Sequence, residues 1–172
     1  EIIAFCCGAL VMVLEMVGAR VLAPHVGTSA VVWTSLIGVV LACLAVGAWL
    51  GGRLADRHLS RRGLAFILTG ASLGSALAAG THRLVGEALS VAITDIHLAA
   101  VACALGILAL PALCCGMISP YIIRLRIRDV ATSGATVGRL YALSTAGSIV
   151  GTFLGGFVLI SFFASGTILW GV

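Results

Sequence analysis

One carboxylate stands deep inside an apolar run, Val11-Met12-Val13-Leu14-Glu15-Met16-Val17-Gly18. An acidic side chain at the centre of a bilayer costs about 3 kcal/mol on insertion scales, so Glu15 must face a bundle interior or a wet cavity and find a partner there. Two chemistries fit it: a site for a cation or a proton, or a structural hydrogen bond to another helix. Arg20 is close in sequence, but five positions rotate it well away on a helix and strain a direct pair. Ser35, Ser119, Tyr141, Ser144 and Thr145 are the polar groups expected to come within reach. Pro24-His25-Val26-Gly27 with Trp33, and Ser119-Pro120-Tyr121, interrupt apolar runs where backbone carbonyls are freed, and each either lines a site or shapes a loop. The binding candidates are therefore Glu15, Arg20, His25, Trp33, Ser119, Tyr121 and Tyr141. His25, His82 and His97 fall to one side of the chain, yet no spacing brings them together as ligands. Cys6, Cys7, Cys43, Cys103, Cys114 and Cys115 all lie in apolar runs without the CxxC or Cys/His spacing of a zinc site, and read as small buried hydrophobes, with redox work by Cys6-Cys7 or Cys114-Cys115 as the alternative. No catalytic residue, metal site or cofactor is expected from these patterns.

What must position these groups is a membrane. Hydrophobic residues make up 61% of the 172 and charged residues 9%, against roughly 25% charged in soluble domains. Mean hydropathy is +1.22. With about 20 apolar residues per crossing, the chain holds about six spans and no separate soluble domain of ordinary size. The fold class is all-α, a polytopic transmembrane bundle forming a single domain over 1–172. We expect spans at 2–22, 31–51, 64–80, 96–118 and 138–161, with a sixth beginning near Phe162. The chain opens at Glu1 and stops within an apolar run, which suggests a portion of a longer protein. All ten basic residues are arginines. They cluster at the ends of apolar runs, which is the pattern of orientation signals and not of nucleic-acid contact.

The arginines alternate between loops. Arg53, Arg57, Arg61 and Arg62 lie between the second and third spans, and Arg124, Arg126, Arg128 and Arg139 between the fourth and fifth. Positive loops stay in the cytoplasm, so the N-terminus is expected there and the loops at 23–30 and 81–95 outside. Residues 83–95 carry Arg83, Glu87, Ser90 and Thr94 on one helical face and Val85, Leu89, Ala92 and Ile96 on another, a pattern for a short interfacial helix or a packed lid. Gly147, Gly151 and Gly155 recur every fourth position. Small residues let backbones approach closely in lipid, so the fifth span is expected to be central. Gly52-Arg53-Leu54-Ala55-Asp56-Arg57 resembles the loop motif of the major facilitator superfamily, where a glycine, an aspartate and basic residues join the second and third helices. That resemblance implies half of a major facilitator fold, with Asp56 and Arg57 bracing neighbouring helices.

A wider resemblance runs through most of the chain. Residues 14–29 (Leu-Glu-Met-Val-Gly-Ala-Arg-Val-Leu-Ala-Pro-His-Val-Gly-Thr-Ser), Val32-Trp33-Thr34-Ser35, the stretch from Gly47 to Arg57, Gly116–Tyr121 and Gly138–Thr152 together resemble the membrane domain of bacterial spermidine synthase-like fusion proteins. In that family an aminopropyltransferase-like domain follows the helices, and its Gly-rich fingerprint and acidic loop are absent from these residues. The resemblance implies the bacterial cytoplasmic (inner) membrane and a neighbourhood of polyamine or aminopropyl-transfer chemistry. Three functions follow: a membrane domain that anchors or serves a synthase-like partner, a facilitator-like transporter of a small cation or amine, or an accessory subunit of a larger membrane complex. The expected partners are the lipid bilayer, a synthase-like domain or partner subunits, and a second copy of the chain.

Overall fold

The computed structural model describes residues 1–127 and 133–171. It is all-α, with α1 (Ile2–Val26), α2 (Ala30–Arg57), α3 (Arg61–Ala92), α4 (Ile96–Arg126), α5 (Ser133–Phe162) and a short α6 (Ser165–Gly171). The first five are long and apolar enough to cross a membrane. The sixth span expected from Phe162 begins, within the described residues, as the seven-residue α6. Arg128, assigned to the basic loop, lies outside the described residues.

Three helix ends differ from the expectation, each for a local reason. Pro24 does not break α1. It sits in the last turn, where a missing N–H removes a single bond, and the helix stops three residues later at Gly27, whose φ of 82° few other residues adopt. Pro120 likewise lies inside α4, which runs on to Arg126. Residues 83–92 are neither a separate interfacial helix nor a lid. Nothing between Gly63 and Ala92 breaks the helix, so α3 continues for 32 residues, and Val85 and Leu89 pack beside Gly106 of α4.

Packing rests on small residues. Gly47 and Gly51 of α2 lie against the backbone of Leu113 and Met117 in α4, and Gly116 of α4 lies against Leu44 in return. Gly8 of α1 meets Ser144 of α5, while Gly147 and Gly151 of α5 meet Phe5 and Ala9 of α1. In both seams a Cβ would fall inside the facing backbone, which is how helices gain dispersion contacts when lipid removes the hydrophobic drive. Gly155 is looser, with Val13 at 3.6 Å from where a Cβ would stand. The expectation that the fifth span is central is corrected. α4 is the most buried helix and α5 the least, because α5 has one tight neighbour and bears Phe153, Phe157 and Phe162 on its exposed side.

Candidate functional site

The two ends of the bundle have different chemistry. At the arginine-rich end, Arg124 Nε donates to Asp56 Oδ1 at 3.3 Å, joining α4 to α2. Glu1 receives Arg126 and Arg139, each at 3.4 Å, tying α4 and α5 to the start of α1. The Arg53 guanidinium lies 3.8 Å over the ring of Trp49, a cation–π contact on an exposed helix face. Tyr121 is fully buried. Its hydroxyl donates to the carbonyl of His58 at 2.8 Å and accepts the N–H of Ser60 at 3.1 Å, so this binding candidate is engaged in fastening the α2–α3 turn. Ser60 in turn accepts the Gly63 N–H at 2.9 Å and caps α3.

Glu15 occupies the middle of α1. Gly8, two turns earlier on the same face, touches Ser144 of α5, and Gly18, one turn later, packs against Leu36 of α2 and Leu108 of α4. Glu15 therefore lies on the strip of α1 between α5 and the α2–α4 pair. It is half-buried. Its carboxylate makes no hydrogen bond or ion pair among the described residues, and the expected polar partners do not reach it. Ser119, Tyr141 and Ser144 instead gather with Ala4 and Leu140 around a recess of about 20 Å³, room for about one water. Trp33 is exposed in the first turn of α2.

The opposite end holds a larger cavity, of about 610 Å³, between α1, α3 and α6. Arg20, His25, His82, Arg83, Glu87 and Thr167 line it. Arg20 donates to the carbonyl of Ile160. That carbonyl lies at the end of α5, just after a π-helical turn over Leu154–Leu159, where helical donors run out and a cation suits the negative end of the dipole. The ring of His25 lies where a side chain on Gly86 would stand, so only glycine at that position admits it. His82 Nδ1 lies 2.9 Å from the Ala79 carbonyl; that bond places the proton on Nδ1 and leaves Nε2 as an acceptor. His25 and His82, which no sequence spacing joins, thus line one cavity, and the close approach of Gly86 that admits His25 is visible only in the fold. His97 stays apart, 3.5 Å from Asp95. Asp95 caps α4 through Oδ1, accepting the N–H groups of His97 at 2.9 Å and Leu98 at 3.0 Å. The Leu98 N–H, then the neighbouring His97 groups, hold its carboxyl below the usual aspartate value. Among the described residues no group of three His, Cys, Asp or Glu side chains converges as a metal site.

Compared with protein-family models, curated proteins and solved structures, the chain gives no match.

Proposed function

We propose that this chain is a membrane domain that binds a small protonated amine at Glu15 and serves an aminopropyl-transfer partner, in the manner its resemblance to spermidine synthase-like fusions implies. The observation that carries this reading is the half-buried, unpaired carboxylate in the middle of α1. A structural role requires a partner on another helix, and no described side chain supplies one. An ionisable group without a protein partner at that depth is a site for a ligand cation or a proton. The strip that bears Glu15 lies beside the α1–α5 seam, so a ligand there contacts two helices whose backbones pack through glycine. The half-facilitator architecture implied by the Gly52–Arg57 motif adds a second copy of the chain, which supplies the other half of a twelve-helix carrier. By the same reading the arginine-rich end faces the cytoplasm, where a synthase-like partner has its substrate.

The test is putrescine binding to the purified protein in detergent, measured by calorimetry, with Glu15→Gln beside the wild type. The amide keeps the shape and loses the charge. Loss of at least about tenfold in affinity with an unchanged melting temperature is expected, since one charge-assisted contact is worth about that much. Equal binding by both proteins overturns the reading. A variant that melts earlier without changing binding restores the structural role.

A further inference from the structure

The cavity at the end opposite the arginine cluster plays no part in the Glu15 reading, and its charges are arranged unusually. Arg83 and Glu87 both line it. They are four residues apart on α3, so their Cβ atoms stand about 6 Å from one another. Arginine preceding glutamate is the weaker order for a helical ion pair, and no bridge forms between them or from either to any other described side chain. Among the described residues the His25 ring makes no hydrogen bond either, and His82 retains a free Nε2 because its Nδ1 meets Ala79. One cavity thus presents an unpaired guanidinium beside an unpaired carboxylate and a ring-nitrogen acceptor.

Its depth is also defined. The apolar stretch of α3 from Leu64 to Gly80 ends just before Thr81-His82-Arg83. The whole helix, at 32 residues, is about 48 Å long and exceeds the roughly 30 Å of a hydrocarbon core. The cavity therefore lies past the apolar stretch of α3, at the level where lipid headgroups begin. A simple phosphate satisfies Arg83 but meets repulsion from Glu87. A phosphate joined to an ammonium through a two-carbon link satisfies both.

We propose that this cavity binds a phosphoethanolamine group. Arg83 holds the phosphate oxygens, while Glu87 and His82 Nε2 receive the ammonium. The group comes either as the headgroup of an aminophospholipid or as the free solute. Arg20 stays on the Ile160 carbonyl and supplies background positive charge.

Native mass spectrometry of the full chain released from nanodiscs of equal phosphatidylethanolamine, phosphatidylglycerol and phosphatidylcholine tests this. The wild type is expected to retain phosphatidylethanolamine about tenfold over the other two. Glu87→Gln should shift retention toward phosphatidylglycerol, because the ammonium partner is gone and the guanidinium remains. Arg83→Gln should lose the preference altogether, while Arg62→Gln at the far end should leave it unchanged. Both cavity residues are exposed, so these variants should melt as the wild type does. Displacement of the retained lipid by millimolar phosphoethanolamine identifies a free-solute site; resistance to it identifies a lipid site. Equal retention of the three lipids by the wild type, or an unchanged preference in Glu87→Gln, overturns the proposal.

Discussion

At the scale of single residues, the polar groups of this chain divide into those that fasten the backbone and those that have no protein partner. Arg20 belongs to the first kind. Its guanidinium meets the orphan carbonyl of Ile160, so Arg20→Gln should lower stability by about 1 kcal/mol and speed amide hydrogen exchange in the last turn of α5, leaving α2 and α4 unchanged. Asp95 is another fastener. Its carboxyl is held below the usual range, chiefly by the Leu98 N–H, so its contribution is complete above the unfolded-state pKa and is lost as pH falls through the lower folded value. Unfolding followed from neutral to acid pH should show wild type and Asp95→Ala converging at the acid end, with the variant the less stable at neutral pH. Glu15 belongs to the second kind. Its depth was legible in the sequence because an acid in an apolar run stands out. Its lack of a partner was not, since that depends on how α1 is turned against α5 and α4. Tyr121 shows the converse: a tyrosine beside a proline reads as a site residue, yet its hydroxyl fastens a turn more than sixty positions away.

At the scale of elements, small residues decide which helices touch. The Gly147–Gly151–Gly155 series shows how far spacing alone carries. All three have the same periodicity, but two stand against backbone and the third in ordinary contact. Gly151→Ala should therefore destabilise the α1–α5 pair, and Gly151→Leu should cost about 3 kcal/mol through overpacking. Gly155→Ala should be neutral or stabilising by up to about 1 kcal/mol, from helix propensity. Denaturant titration of the three variants, with helix content as the signal, checks the ranking. The helices themselves were readable because long apolar runs bounded by arginine have few other solutions in lipid. Their ends were less so. Proline was read as a stop in Pro24 and Pro120, where it costs one hydrogen bond within a helix that packing sustains. The polar face of residues 83–92 was read as a separate element although no breaker isolates it from α3.

At the scale of the whole molecule, the ion pairs from Glu1 and Asp56 draw the ends of α1, α2, α4 and α5 together on one side, and the histidine-lined cavity lies on the other. Eight of the ten arginines belong to the first side by sequence, and we propose that it faces the cytoplasm. In a background without the native cysteines, Leu59→Cys should label only from the cytoplasmic side and Thr94→Cys only from the other; labelling of both from one side would overturn this topology. The packing partners of α1 also fix an order in time. α2 and α4 can close on each other as soon as α4 leaves the ribosome, but the Gly8 face of α1 must wait for α5, more than a hundred residues later in synthesis. During that interval Glu15, between the two contact faces of α1, is flanked by α2 and α4 on one side alone. The newborn chain thus keeps one side of its mid-span carboxylate uncovered until the fifth helix arrives.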